Sequence, residues 1–355
     1  MSFKDFIKNE FPSFNGEVNF KEDVLIKDKN QSEFTLSIPI YLNKIITKER
    51  IKTGKENLKA WETQLAKIHK VWGVPPEVII AIWGIETNFG EKLGTYRVVD
   101  TLATLAFGAE GEQRKALFKS ELSALEEIKN KKGIEIDNLF GSWAGAFGHM
   151  QFMPTTFLKF SYPFEHKKPP NIWKKNNPLD SFASAAHYLN AMGWVRDGFI
   201  LRKISKPSEM DYLEAGLSLD TQNGLVAPLG HSGPHFEFDM NASAIFHYNR
   251  SELYVFGVWI LSSALITAPK KILWPKNRER IGASEVRVMQ KQLTLLGYNT
   301  FGIDGKFGFN SKKALIDFQK DVKQTPDGHP DRSIFKRLLS QPSPSVSYTH
   351  LRAHE

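Results

Sequence analysis

The distribution of apolar and polar residues along the chain predicts a protein built mainly of helices. Over residues 58–72 and 118–128 the apolar positions fall three and four apart, the spacing that gives a helix one buried face. Residues 179–192 form another such stretch, in which DSFASAAHYL supplies small side chains for close helix packing and Gly193 supplies a stop. Helical order returns at 245–267. Between these stretches the pattern weakens: residues 34–38 suggest an extended piece, and Gly216, Gly224, Gly230 and Gly233 mark 201–234 as loops or short irregular elements.

One stretch departs from one-sided burial. Residues 74–90, VPPEVIIAIWGIETNFG, open with two prolines suited to a helix entry and place Glu77 in the first turn. Val78, Ile79, Ile80, Ile82, Trp83 and Ile85 then leave no polar face, so this helix is expected to be buried on all sides, with Gly90 at its exit.

A second, smaller pattern follows near the C-terminus. Val286, Met289, Leu293 and Leu296 recur at helical spacing before Gly297, and Ala314, Leu315 and Phe318 repeat it. With a third short helix at 333–339 and turn signals at Asp304-Gly305 and Asp327-Gly328, a three-helix bundle is expected. About sixty residues hold little core, which favours binding over catalysis. The expected organisation is a catalytic domain over 1–268, a basic linker over 269–284 (APKKILWPKNRERIGAS begins at Ala268), the bundle over 285–340, and an extraneous or disordered tail over 341–355.

Composition narrows the function. The chain has 355 residues, 41% of them hydrophobic and 24% charged, which is ordinary for a two-domain globular protein. With no cysteine, disulfides, thiolate nucleophiles and thiolate-held metals are excluded. A net charge of +8 favours an anionic partner such as cell-wall polymer, membrane surface or nucleic acid, although a solvated basic surface explains it equally well. No basic and aromatic interleaving matches a nucleic-acid module, so nucleic acid is disfavoured. The longest apolar run, 253–268, is interrupted by Gly257, Ser262 and Ser263 and is too short to span a bilayer. Residues 1–20 carry Lys4, Asp5, Lys8, Glu10 and Glu17 without an apolar core, so they do not read as a signal peptide.

The chemistry centres on Glu86, near the end of the apolar helix. Desolvation there should raise its pKa toward neutrality and leave part of it protonated, as a general acid requires. A lone Glu in such a place is more often a rim residue or an arginine partner, and a second segment shifts the balance. Residues 141–154, GSWAGAFGHMQFMP, surround Ser142, His149 and Gln151 with small residues that permit close approach to a ligand. Trp143, Phe147 and Phe152 there offer flat faces for stacking. A third segment, FHYNRSELY at 246–254, places Tyr248, Asn249 and Tyr254 at the start of an apolar helix.

VPPEVIIAIWGIETNFG, TLATLAF, GSWAGAFGHMQFMPTTF, LDSFASAAHYLNAMGW and HYNRSELY, in that order, resemble the membrane-bound lytic transglycosylase B family, whose core is similar to goose-type lysozyme. The likeness covers residues 21–269. It implies a mainly α, lysozyme-like catalytic domain in which Glu86 is the sole acid and base and Ser142, Gln151, Tyr248, Asn249 and Tyr254 line the glycan groove. It further implies cleavage between N-acetylmuramic acid and N-acetylglucosamine without water, leaving a 1,6-anhydromuramoyl end. Trp83, one turn before Glu86, is expected to help desolvate the acid, and Phe152 to contact the glycan.

The residues are compatible with a single catalytic carboxylate. Hydrolytic glycosidases generally use two. The other carboxylates in the three segments 74–90, 141–154 and 246–254 are Glu77, more than two turns away, and Glu252, to which the resemblance assigns no catalytic role. A hydrolytic muramidase and an inactive wall-binding scaffold remain as alternatives.

Departures from the family pattern bear on metal and groove. Where many relatives carry an acidic calcium-type loop, this chain reads PFEHKKPPNIW over 163–173, with Pro163 and Lys167 in place of aspartates and only Glu165 and Asn171 as oxygen donors; no calcium and no cofactor are expected. Phe147 replaces a usual methionine, which is expected to reshape the groove, and His149 reads as a surface or structural residue. EVRVMQKQLTLLGY, IDGKFG, ALIDFQKD and PDGHPD resemble the three-helix peptidoglycan-binding domain, implying attachment to the wall as a second contact. Peptidoglycan glycan strands are thus the expected partner, a monomer the expected state, and the periplasm or envelope of a Gram-negative bacterium the expected location.

Overall fold

The computed structural model describes the chain apart from residues 15–17, 31–36, 133, 137, 166–168, 216–218, 220, 222, 269–271, 277, 279 and 343–355. Helices α1 (Phe3–Glu10) and α2 (Glu22–Asn30) lead into α3 (Ile38–Ile45), α4 (Lys48–Ala60), α5 (Glu62–Trp72) and α6 (Pro76–Thr87). The extended piece expected at 34–38 lies largely outside the described residues, and Ile38 itself opens α3. The helical pattern over 58–72 is split by Trp61, which ends α4 and starts α5 with φ −106° and ψ 13°. Its indole meets the edge of the Phe182 ring at 6.3 Å.

Strand β1 (Tyr96–Arg97) precedes α7 (Val98–Gly108) and α8 (Glu112–Lys132) and pairs antiparallel with β2 (Phe140–Gly141). Then come α9 (Pro154–Phe160) and α10 (Leu179–Ala191). The region expected to be irregular holds a small antiparallel sheet, β3 (Leu201–Ile204), β4 (Gly224–Val226) and β5 (His235–Phe238), in the order β3–β5–β4. Leu201 pairs with Phe238 and Val226 with Phe236, so alternate residues of β5 face the core.

The helical stretch at 245–267 is two helices, α11 (Met240–Tyr248) and α12 (Glu252–Ile266). Asn249 and Ser251 between them are extended. That break turns the chain so that the Tyr248 and Tyr254 rings lie parallel, 6.2 Å apart and within 5°.

Helix α6 is the centre of the catalytic domain, packed against α4, α5, α10 and α12. Ile79, Ile80, Ala81 and Ile82 have no exposed surface, as expected of a helix without a polar face. Each large aliphatic side chain buried there contributes about 1.5–3 kcal/mol.

The C-terminal module has its own core, in which Val286, Met289 and Leu293 of α13 (Ala283–Leu295) meet Leu315 and Phe318 of α14 (Phe309–Asp321) and Ile334 of α15 (Arg332–Leu339). The segment expected to be a linker does more than span a gap. Trp274 packs on Phe236 and Phe256 of the larger core, and Ile281 belongs to the smaller one. Arg278 bridges Asp327 and Asp331 and donates to the Leu229 carbonyl at 3.2 Å. His231 donates its backbone N–H and Nδ1 to Asp327 at 3.0 and 2.7 Å, and Lys312 donates to the Ala215 carbonyl, so the two units are docked.

Candidate active site

Three segments converge on the end of α6. The helix starts at Pro75 and Pro76 without a side-chain cap and ends at Asn88, which is left-handed at φ 50° and ψ 53°. Phe89 and Gly90 continue with φ of 60° and 86°. Two consecutive non-glycine residues at positive φ store strain, which the surrounding contacts must hold. Thr87, fully buried, supplies one: its Oγ1 donates to the His149 carbonyl at 2.8 Å and accepts from the Gly90 N–H at 3.1 Å. A Cβ on Gly90 would stand 2.6 Å from His149 Cε1, so this glycine serves both the turn and the contact.

His149 fastens the second segment, the loop over 141–154. It is 1% exposed, and its Nδ1 accepts from the Trp83 indole at 3.0 Å. Indole only donates, so Nε2 carries the proton and donates to the Lys174 carbonyl at 3.1 Å. Burial holds the pKa of His149 below its ordinary 6.5, which keeps the ring neutral in this role. His149 is thus structural and not on the surface.

Trp83 faces this clamp. Its ring meets Phe89, Phe182 and His149, and it is 4% exposed, so it stiffens α6 where the sequence suggested a shield for Glu86.

The glycines of the loop lie close against the protein itself. A Cβ on Gly148, at φ 76°, would lie 2.6 Å from the Ile172 carbonyl oxygen. Phe147 and Phe152 are likewise turned inward. Phe147 is fully buried against Phe157 and Trp173, so the substitution for methionine alters the floor beneath the loop and not its surface. Phe152 is 2% exposed and packs on Tyr188 and Tyr248, supporting the site from behind. Its backbone exchanges both hydrogen bonds with Phe147 at 2.9 Å. Trp143 is half-buried on the main core.

The carboxyl of Glu86 faces the third segment. Tyr254 donates its hydroxyl to Glu86 Oε1 at 2.6 Å. Burial raises the pKa of Glu86 from 4.5 to about 7, against the opposing pull of the Tyr254 hydrogen bond. Its charge in turn helps burial raise Tyr248 and Tyr254 well above 10, so both hydroxyls stay protonated donors. Tyr248 donates to the Met150 carbonyl at 2.6 Å, tying α11 to the loop. Tyr41 of α3 completes a ring of tyrosines around the acid. Burial and the charge of Glu86 push it up to about 12. Sequence reasoning missed Tyr41, which belongs to none of the five motifs.

The remaining expected groove residues are held by contacts of their own. Gln151 is left-handed at φ 49°, and its Nε2 donates to the carbonyls of Leu93 and Gly148 at 3.3 and 3.0 Å. Ser142, at the far end of the loop, accepts from the Ala146 N–H at 3.1 Å. Asn249 is exposed at the C-cap of α11.

No hydrogen bond or ion pair joins Glu86 to a second carboxylate among the described residues. Glu77 lies nine residues earlier on the same helix, about 13 Å along its axis. Glu252 is two residues before Tyr254 on α12, which places it about 200° round the helix, facing away from Glu86.

Among the described residues, the loop compared with calcium sites takes part in no cluster of three or more metal-ligating side chains. Lys167 lies outside the described residues. Asn171 Oδ1 is taken by the Trp173 N–H at 3.3 Å. The two carboxylate oxygens of Asp180 accept from the N–H groups of Phe164 and Asn171 at 2.9 and 2.8 Å. Asn171 and Asp180 thus serve as acceptors for the backbone of this loop.

Comparison with known proteins agrees with this geometry. Residues 3–263 match the transglycosylase SLT domain family, and residues 282–338 match the peptidoglycan binding domain family. Membrane-bound lytic murein transglycosylase B of Escherichia coli is 30% identical over 247 residues, 64% of this chain and 67% of that protein. SltB3 from Pseudomonas aeruginosa, solved in complex with NAG-anhNAM-pentapeptide, superposes with a TM-score of 0.87 at 28% identity, covering 96% of this chain and all of that one. Escherichia coli Slt35, solved in complex with calcium, gives a TM-score of 0.62 at 26% identity over 74% of this chain and 91% of that one. With its apolar central helix, a glutamate near the end of that helix and a docked C-terminal bundle, the chain belongs to the transglycosylase SLT family of lytic transglycosylases.

Proposed function

We propose that this lytic transglycosylase cleaves the MurNAc–GlcNAc bond of peptidoglycan without water, with Glu86 as acid in the first step and base in the second. The observation that carries this reading is the environment of Glu86. A pKa of about 7 leaves comparable amounts of acid and carboxylate at neutral pH, and no second carboxylate is joined to Glu86 among the described residues. With Tyr254 donating to Oε1, Oε2 is the oxygen that carries the acid proton.

That proton passes to the glycosidic oxygen as its bond to C1 breaks. The carboxylate then takes the proton of the muramoyl 6-hydroxyl while that oxygen bonds to C1. The nucleophile is part of the substrate, so no positioned water is needed, and the ring closure gains the advantage of an intramolecular reaction. Tyr254 stabilises the carboxylate between the two steps, which favours proton donation in the first step at the cost of a weaker base in the second.

Ser142, Gln151, Tyr248 and Asn249 are assigned to the groove around this centre, with Phe152 and Trp83 behind it. The C-terminal module supplies a second attachment to the wall, which acts in the periplasm or envelope. Digestion of purified peptidoglycan followed by mass spectrometry tests the reaction. Anhydro ends, lighter by one water than reducing ends, are expected, and Glu86→Gln should abolish them. Reducing ends from the parent enzyme would establish a hydrolase instead.

A further inference from the structure

A cavity of about 200 Å³ lies between the catalytic domain and the C-terminal module, walled by Phe246, Arg250 and Glu252 on one side and Arg280, Phe307 and Lys312 on the other. Its charges are not neutralised in the ordinary way. Glu252 Oε1 is buried without a hydrogen-bond partner. The nearest cation, Arg280, stands 3.8 Å from Oε2, too far for a hydrogen bond. Lys312 reaches the cavity from α14 and donates to the Ala215 carbonyl, leaving further ammonium protons to place. Burial works against both charges, raising the pKa of Glu252 and lowering that of Lys312 to about 8. A buried carboxylate oxygen with no donor costs stability unless something supplies one.

An unmet acceptor beside two cations with spare donors is the complement of a zwitterion. The ammonium of such a ligand would meet Glu252, and its carboxylate would meet Arg280 and Lys312. The volume corresponds to roughly six waters, room for the end of a small peptide and too little for a disaccharide. The position is also informative. Glu252 opens α12 two residues before Tyr254, so the Glu86 centre and this cavity are served by opposite faces of one helix turn, and Lys312 brings the C-terminal module to the same point. Ala215 and Phe307 also line an adjoining, wider cleft of about 700 Å³.

We propose that this interdomain cavity binds the charged end of a peptidoglycan stem peptide, so that the enzyme reads peptide as well as glycan. The inference rests on the substrate class proposed above and does not depend on whether cleavage is lytic or hydrolytic.

Calorimetry on the full-length chain tests it with the free stem tetrapeptide L-Ala-D-Glu-diaminopimelate-D-Ala as the probe, which requires no turnover. Saturable binding is expected, weakened about tenfold or more by Glu252→Gln, the loss of one charge-assisted hydrogen bond. Arg280→Gln, at a side chain 39% exposed, gives a second variant should the first fail to fold. Tetra-alanine, which has termini but no diamino acid, should bind distinctly more weakly. Absence of saturable binding, equal affinity in a variant with unchanged melting, or equal binding of tetra-alanine would each overturn the proposal. A failed product assay with intact peptide binding would instead count against the reaction alone.

Discussion

Replacing Glu86 by glutamine should stabilise the protein at alkaline pH and leave it unaffected at acid pH. The folded state holds the Glu86 proton more tightly than the unfolded chain, with a pKa of about 7 against 4.5. Below pH 4.5 both states are protonated, and the site costs nothing. Between 4.5 and 7 the folded protein keeps a proton that the unfolded chain has lost, so stability falls as pH rises. Above 7 the full cost of a buried, ionised carboxylate is present. At ~1.36 kcal/mol for each tenfold in proton affinity, that cost is about 3 kcal/mol. Glu86 is partly exposed, so this value is a ceiling.

Glutamine keeps the shape and can still accept from Tyr254, but it never ionises. Urea unfolding of parent and variant at pH 4 and pH 8 measures the difference directly, and about 3 kcal/mol corresponds to a rise of roughly 4 °C in Tm for a chain of this length. A gain that is the same at both pH values, or a loss at pH 8, would show that the carboxyl is not held in the environment described.

Tyr254→Phe removes the hydrogen bond that favours the Glu86 carboxylate, so the alkaline limb of the kcat/KM profile should move up by about one pH unit, the equivalent of a hydrogen bond to charge. An unmoved limb would separate Tyr254 from the titration. Trp83→Phe leaves the buried Nδ1 of His149 without its donor and should cost about 1–3 kcal/mol in urea unfolding; a cost near zero would remove the clamp from the account. Arg278→Ala takes the guanidinium from two buried carboxylates, Asp327 and Asp331, and leaves them only neutral donors and His231, which should destabilise the docked module by about 3 kcal/mol. Trypsin should then cut between the units faster than in the parent, and an equal rate would refute the docking role.

What could be seen in advance followed from local rules. The all-round apolarity of α6 is written in consecutive residues, and burial follows from it wherever the helix sits, so the raised pKa of Glu86 was legible. The bundle was legible for the same reason, because each helix carries its own repeat. Contacts made at a distance were not. Nothing in FHYNRSELY marks the turn at 249–251 that sets Tyr248 parallel to Tyr254, since extended Asn249 and Ser251 violate no local preference. The aromatic residues of the 141–154 loop misled for a related reason. A flat ring suits a sugar and a core equally well, and Phe147 and Phe152 went to the core because the loop folds back on itself through paired backbone hydrogen bonds. The basic linker misled through its charge. Lysine and arginine outside a helix suggest a solvated spacer, yet Arg278 is matched by carboxylates fifty residues later in a separate core. The same long-range pairing leaves Glu252 short of a donor, since Arg280 stops at 3.8 Å. That misfit between otherwise satisfied charges, which no motif along the chain announces, is the basis of the proposed peptide site.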